Sequence, residues 1–137
     1  MHLNTYLNFD GNCEAAFNYY AEHLGGKVVA LMKFGEGPMA QQVAPEARDK
    51  VMHARLDVDG STIMGTDCTD QHAYAPIHCA YVVINLNDAP NAERIFNALA
   101  DGGKVRMPLQ QTFWAHRYGI TVDRFGVPWM VNCEKAA

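Results

Sequence analysis

A segment near the end of the chain concentrates side chains that could do chemistry. Because side chains alternate between the two faces of a strand, a strand over residues 110–118 would place four polar or aromatic groups on one face: Thr112, Trp114, His116 and Tyr118. Ligand pockets combine aromatic walls with a few polar groups in this way. His116 also suits a general base, since imidazole titrates near neutral pH. A half-buried sheet face has the same composition, so both interpretations stay open for Trp114 and His116.

The elements around this segment would position its side chains. Gly119 is expected to end the first strand, and a short strand over 120–122 follows it. The sequence Asp123-Arg-Phe-Gly126 is typical of a turn, and residues 127–133 form a last strand that carries Trp129.

The first part of the chain predicts a strand, a helix and three further strands. Residues 3–9 alternate, with Leu3, Leu7 and Phe9 toward the helix and Asn4, Tyr6 and Asn8 on the other face. An apolar stripe at helical spacing follows, formed by Phe17, Tyr20, Ala21 and Leu24, and Gly25-Gly26 ends it. Strands are expected over 27–34, 51–58 and 61–67, the last two joined by an Asp59-Gly60 turn. His53 and Arg55 lie on the polar face of the 51–58 strand, which is either a ligand-facing surface or a solvated one.

The same order of elements then starts again. A strand over 79–86 precedes a helix opened by Asp88 and Pro90, and Gly102-Gly-Lys-Val105 repeats Gly25-Gly-Lys-Val28. The sequence therefore predicts one α+β domain over residues 1–137, built from two βαβββ modules over about 1–70 and 77–137. Their curved mixed sheets would enclose a shared cavity, with the helices outside. By the repeat, Tyr81, Val83 and Asn85 would face inward as Asn4, Tyr6 and Asn8 do.

Composition restricts the classes of partner. The hydrophobic fraction of 49% and charged fraction of 19% fit a globular protein, and the formal net charge is −4. The sequence has no Lys/Arg cluster, so nucleic acid and anionic membrane surfaces are not favoured as partners. Neither a signal peptide nor an apolar membrane span is visible, so we expect a cytoplasmic protein. The four cysteines form no C-x-x-C pair, which argues against a structural zinc site.

Four stretches carry a resemblance to a known family: residues 9–20 (FDGNCEAAFNYY), 52–56 (MHARL), 112–115 (TFWA) and 123–129 (DRFGVPW). With them the chain resembles the PhnB/YjdN-like branch of the vicinal oxygen chelate superfamily, which includes glyoxalase I, bleomycin and fosfomycin resistance proteins and extradiol dioxygenases. The resemblance implies the two-module fold and a dimer. In metal-dependent relatives it also implies a His or Glu ligand on the first and last strand of each module. Those positions fall near Asn4, Met64 or Gly65, Tyr81 and Met130, none of which is an imidazole or a carboxylate.

Three functions follow as hypotheses. The first is a small-molecule binding protein without cofactor or metal, whose apolar walls are Tyr6, Trp114 and Trp129 and whose polar anchors are His53, Arg55 and His116. The second is a lyase, isomerase or dioxygenase with His116 as the catalytic base. This enzyme could be metal-dependent or not. A divalent metal would need ligands from different elements, and the candidates are His53, Asp67, His78 and His116. The third is an interaction role for a homodimer. The sequence contains no Gly-rich strand-to-helix turn, so it does not predict an S-adenosylmethionine site.

Overall fold

The computed structural model describes residues 1–38 and 40–135 of the chain. These residues divide into two compact units, Met1–Ala75 and Pro76–Ala137, which we call unit 1 and unit 2. Within the described residues, no helix has both the length and the apolar character needed to cross a bilayer.

Unit 1 contains one helix and a four-stranded sheet. Its elements are β1 (Thr5–Phe9), α1 (Cys13–Leu24), β2 (Lys27–Lys33), β3 (Val51–Val58) and β4 (Ser61–Asp67). The strand order is β1-β4-β3-β2, which we call sheet 1; β1 is parallel to β4 and the other pairs are antiparallel. Three short 3-10 turns lie between β2 and β3, at Phe34–Glu36, Ala40–Gln42 and Pro45–Ala47.

Unit 2 repeats this arrangement. Its elements are β5 (Val82–Leu86), α2 (Ala89–Ala100), β6 (Lys104–Gln110), β7 (Ala115–Val122) and β8 (Pro128–Glu134). The strand order is β5-β8-β7-β6, which we call sheet 2; β5 is parallel to β8. The predicted α+β fold with two βαβββ modules is therefore confirmed, while enclosure of a shared cavity stays a prediction.

The two Gly-Gly pairs explain how each helix turns into the next strand. Gly25 and Gly102 both have φ of 74°, a left-handed conformation that favours glycine. The second glycine of each pair has no room for a side chain: a Cβ on Gly26 would come 2.8 Å from the Asp57 carbonyl oxygen, and one on Gly103 would collide with the Val122 carbonyl oxygen. The repeated motif thus places a left-handed glycine and a closely packed glycine between helix and strand in both units.

Each helix covers one face of its own sheet. Phe9 of β1, Phe17 and Tyr20 of α1 and Leu56 of β3 are fully buried between them, and the Phe9 and Phe17 rings meet edge to face at 5.9 Å. In unit 2, Ala92 and Phe96 of α2 pack against Val131 and Cys133 of β8. Among the described residues, the α-helix of each unit covers only one face of its sheet.

Three predicted boundaries are wrong, and one of them is the strand expected over 79–86, because β5 starts only at Val82. Leu3 is 94% exposed because β1 starts only at Thr5, so this side chain packs against no helix. The expected strand over 110–118 with a break at Gly119 is also wrong, since β7 runs without interruption through Gly119. A Cβ at Gly119 would lie 2.9 Å from both the Phe96 ring and the Leu109 backbone, so this glycine permits close packing of α2 and β6 on β7.

Candidate functional site

The face of sheet 1 opposite α1 gathers several predicted site residues. Strand pairing places Tyr6 beside Met64, Met64 beside Arg55, and His53 beside Met32. We call this surface the open face of sheet 1; its members are Tyr6, Asn8, Met32, His53, Arg55, Asp57, Thr62, Met64 and Thr66. Tyr6 is 47% exposed and Met32 43%, whereas Leu7 and Phe9 on the helix side of β1 are buried. Three residues that the sequence analysis proposed for one ligand site therefore share one accessible surface: Tyr6, His53 and Arg55.

Tyr6 and His53 contact each other. The Tyr6 hydroxyl lies 3.4 Å from Nδ1 of His53, and the two rings have centroids 5.9 Å apart. Partial burial raises the pKa of Tyr6, so the hydroxyl is protonated at neutral pH and able to donate to Nδ1. In that tautomer the His53 Nε2–H group is a donor for an incoming acceptor.

Arg55 belongs to a polar network. Its Nε donates to Oδ1 of Asp57 at 3.0 Å, and its Nη2 donates to the Thr62 hydroxyl at 3.4 Å. The Thr62 hydroxyl also donates to the same Asp57 oxygen at 3.0 Å. The Arg55 hydrogen bond lowers the pKa of Asp57, which keeps this carboxylate ionised at neutral pH. An added anion would therefore meet the Nη1 side of Arg55, because Asp57 already occupies the Nε side.

Sequence reasoning missed Asp57 and Thr62 as partners of Arg55, although the signals were present. Arg55 and Asp57 are two residues apart on β3 and must share a face. The two-residue turn at Asp59-Gly60 fixes the pairing of β3 with β4, which places Asp57 opposite Thr62.

Unit 2 carries a second group of predicted residues. Trp114 lies just before β7 and is 51% exposed; its ring meets those of Phe113 and Tyr118 edge to face, at centroid distances of 4.8 and 5.3 Å. The Tyr118 hydroxyl donates to the Met130 sulfur at 3.1 Å. Trp114 and Tyr118 are therefore in contact, although the single strand expected to place them on one face does not exist.

His116 is exposed at the start of β7. Its backbone carbonyl accepts a hydrogen bond of 2.8 Å from Nη1 of Arg117, whose Nε donates to Glu93 on α2. Considering residues 1–38 and 40–135, no hydrogen bond or ring contact orients the His116 imidazole. Its role as a base stays a prediction.

Trp129 does not lie on an open face. It pairs with Thr121 and Val82 on the helix side of sheet 2 and is fully buried, and its Nε1–H donates to Oδ2 of Asp123 at 2.8 Å. A ring enclosed in this way cannot form the wall of an accessible pocket in unit 2. Asp123 also accepts from the Phe125 and Val127 backbone N–H groups, both at 2.9 Å. Trp129 and Asp123 together fix the β7–β8 turn, and we leave Trp129 out of the site.

The side chains at the metal positions of metal-dependent relatives do not fit a divalent ion. Asn4 precedes β1 and Tyr81 precedes β5, while Met64 and Met130 present thioethers, which are poor ligands for ions that prefer oxygen and nitrogen. Asp67 is buried, with Oδ1 accepting from the Cys13 backbone at 2.9 Å and Oδ2 from the Val51 backbone at 2.8 Å. Over the described part of the chain, no three His, Cys, Asp or Glu side chains group closely enough to hold an ion.

The cysteines of unit 1 are poor nucleophiles. Cys13 is fully buried, and burial raises the pKa of its thiol strongly, with the Asp67 and Glu14 carboxylates adding to the effect. Burial also raises the pKa of Cys68. Thiolate chemistry is therefore disfavoured at both positions.

Comparison with known proteins shows the family. Residues 1–132 match the family described as 3-demethylubiquinone-9 3-methyltransferase. Protein YjdN of Escherichia coli K12 is 36% identical over 143 aligned positions, covering 98% of this chain and 97% of YjdN. The crystal structure of PA1353 from Pseudomonas aeruginosa is 44% identical, covers 99% of both chains and has a TM-score of 0.91.

More distant structures share the fold. The PhnB protein from Bacillus cereus, described as a putative 3-demethylubiquinone-9 3-methyltransferase, is 22% identical with a TM-score of 0.78, covering 99% of this chain and 100% of that one. The fosfomycin resistance protein FosX from Listeria monocytogenes is 6% identical with a TM-score of 0.66, covering 96% of this chain and 90% of FosX. The chain thus belongs to the 3-demethylubiquinone-9 3-methyltransferase family, as a homologue of YjdN, and it shares its fold with the PhnB and FosX structures.

Proposed function

We propose that this PhnB-like, glyoxalase-type protein binds a small organic molecule on the open face of sheet 1, without the metal centre of its metal-dependent relatives. One observation carries the proposal: Tyr6, His53 and Arg55 share an accessible sheet face that α1 does not cover. An aromatic ring, an imidazole and a guanidinium close together are the groups that ligand sites combine.

The chemistry of this face favours an anion with an apolar part. Nη1 of Arg55 is a donor, and so is Nε2–H of His53 in the tautomer that accepts from Tyr6. Guanidinium binds carboxylate and phosphonate oxygens well. The Tyr6 ring and the Met32 and Met64 side chains offer apolar contact next to them. Aromatic carboxylates and phosphonates are therefore the first compounds to test.

Trp114 of unit 2 is a separate candidate for an aromatic ligand contact, because half of its surface is exposed although it touches two other rings. Base-type catalysis by His116 in a lyase, isomerase or dioxygenase is the alternative proposal. Metal analysis of the native protein separates the two: a stoichiometric divalent metal that is lost in His53→Ala or His116→Ala supports the enzyme and counts against metal-free binding.

A thermal-shift screen of small anions and aromatic compounds tests the binding proposal. Benzoate and phenylphosphonate are the probes, and both should raise the Tm of the wild-type protein. The increase should be lost in Arg55→Ala and reduced in Trp114→Ala. Arg94→Ala on the surface of α2 is the matched control, since it removes the same guanidinium group from unit 2, where Arg94 donates to the Asn91 side chain at 2.7 and 3.1 Å.

Two outcomes would contradict the proposal. In the first, no compound of the screen stabilises the wild-type protein. In the second, the compounds stabilise Arg55→Ala as strongly as Arg94→Ala. A homodimer in the cytoplasm stays a prediction, which sedimentation and cell fractionation can test.

A further inference from the structure

Unit 1 contains a cavity that the proposed function does not use. Its volume is about 380 Å³, within the range of small-molecule pockets. It lies between the chain that connects β2 to β3, the start of β3 and the segment after β4. The described residues that line it are Phe34, Gln42, Val43, Ala44, Ala47, Met52, Thr69, Asp70 and Gln71. Tyr6, His53 and Arg55 are not among them, so the side chains that carry the open-face proposal do not line this cavity.

Backbone hydrogen bonds hold the walls of the cavity in place. On one side, the Phe34 N–H donates to the Lys50 carbonyl at 3.0 Å, and the Ala47 N–H donates to the Ala44 carbonyl at 2.9 Å. On the other side, Thr69 and His72 exchange two backbone hydrogen bonds of 3.2 and 3.0 Å. Asp70 and Gln71 are therefore the two central residues of a tight turn. Hydrogen bonds within the backbone therefore hold the segments on both sides of the cavity.

The lining separates into an apolar interior and a polar rim. Phe34, Val43, Ala47 and Met52 provide the apolar surface. The rim carries amides and a hydroxyl together with Asp70, which is the one charged side chain among the described lining residues. Within the part of the chain that the structure describes, the Asp70 carboxylate has neither an ion pair nor a hydrogen bond. A carboxylate beside an apolar cavity attracts a cation that has a hydrophobic body.

We propose that this cavity is a second ligand site, which takes a small organic ammonium ion with an aromatic or branched apolar group. The apolar group lies against Phe34 and Met52, and the ammonium group pairs with Asp70 at the rim. The ligand of this cavity is a cation, whereas the ligand proposed for the open face is an anion.

NMR titration of protein labelled in its methionine methyl groups tests the inference. Benzylammonium is the probe, and benzyl alcohol is its neutral counterpart. Benzylammonium should shift the Met52 methyl signal and bind more tightly than benzyl alcohol. Because an exposed ion pair contributes about 0.2–1 kcal/mol, Asp70→Asn should weaken binding roughly 1.4- to five-fold.

Two further variants complete the design. Asp59→Asn removes the same charge from an exposed hairpin turn and should leave the affinity unchanged. Ala44→Trp puts a large side chain into the cavity from an exposed position and should abolish the Met52 shift without removing any core group. A Met52 signal that does not move up to about 10 mM probe, in the range of weak small-ligand affinity, would overturn the inference. Equal affinity for benzyl alcohol, or equal effects of Asp70→Asn and Asp59→Asn, would overturn the assignment to a cation.

Discussion

Replacing Asp123 by alanine should destabilise the protein strongly, although this residue touches no proposed ligand. The Asp123 carboxylate accepts hydrogen bonds from the Val127 backbone and from Nε1 of Trp129, and both donor residues are at most 1% exposed. A buried donor that loses its acceptor costs about 1–3 kcal/mol, and bonds to charged acceptors contribute about 1.5–3 kcal/mol. The third donor, the Phe125 N–H, is only partly buried and recovers some of its loss from water. Asp123→Ala should therefore lower the free energy of unfolding by about 3–5 kcal/mol.

Urea unfolding followed by tryptophan fluorescence and far-UV circular dichroism measures this change. Trp129→Phe keeps an aromatic ring but removes the N–H donor, and should cost about 1–3 kcal/mol. The double variant should cost less than the sum of the two single variants, since both remove the same bond. Asp59→Asn, a charge-matched change in a turn that tolerates asparagine, should stay within about 0.5 kcal/mol of wild type.

A small loss of stability in Asp123→Ala would contradict a structural role for the Asp123 hydrogen bonds. If Asp123→Ala lay within about 1 kcal/mol of Asp59→Asn at an unchanged urea dependence, its hydrogen bonds would not determine the stability of the β7–β8 turn. Trp129 would then need another explanation for its complete burial.

Three further predictions concern the core. At pH 8 a thiol reagent should label exposed Cys79 quickly and buried Cys13 only after unfolding. The labelling rate of Cys13 should rise with pH, because its raised pKa limits the fraction of thiolate. Fast labelling of Cys13, mapped by mass spectrometry, would contradict its burial. Gly65→Ala should lower stability by about 1–3 kcal/mol in urea unfolding, since the new Cβ would lie 2.9 Å from the Phe17 ring; wild-type stability would show that the ring moves freely. Asp67→Ala should cost about 2–4 kcal/mol and speed hydrogen exchange at the Cys13 amide, whereas unchanged exchange would rule out its capping of α1.

The strands of unit 1 could be predicted well because their local signals agree. The alternation over residues 51–58 and the Asp59-Gly60 turn predict β3 and β4 with the bounds observed. The same alternation separates Arg55 from the buried Leu56, so the polar face of β3 was identified correctly. What the alternation could not give is the contact between Tyr6 and His53, because it depends on how β1 and β3 are both placed beside β4.

The errors in unit 2 come from local signals that tertiary packing overrides. Gly119 indicates a strand break, but its lack of a side chain serves the close approach of Phe96. Trp129 looked like a pocket wall because of its ring alone. Trp129 alternates with Met130 along β8 and therefore shares the helix side with Val131 and Cys133, which pack against α2.

Helix capping shows a further limit. Asn12 directly precedes α1, where asparagine is a favoured capping residue, yet its side chain makes no capping hydrogen bond. Asp67, 54 residues further along the chain, accepts from the Cys13 N–H instead. A partner so distant in sequence has no local signal, whereas Asp88 caps α2 from the adjacent position, as predicted.

NMR titration of the methionine methyl groups with benzoate and phenylphosphonate tests the proposed binding face most directly. Met32 and Met64 pair with His53 and Arg55 across sheet 1 and report on any ligand there. If the ligand binds on this face, both methyl signals should show saturable shifts in the wild-type protein. These shifts should be lost in Arg55→Ala but not in Arg94→Ala. Compounds that bind without moving either signal, or that move both equally in Arg55→Ala, would contradict the assignment of this face as the binding site.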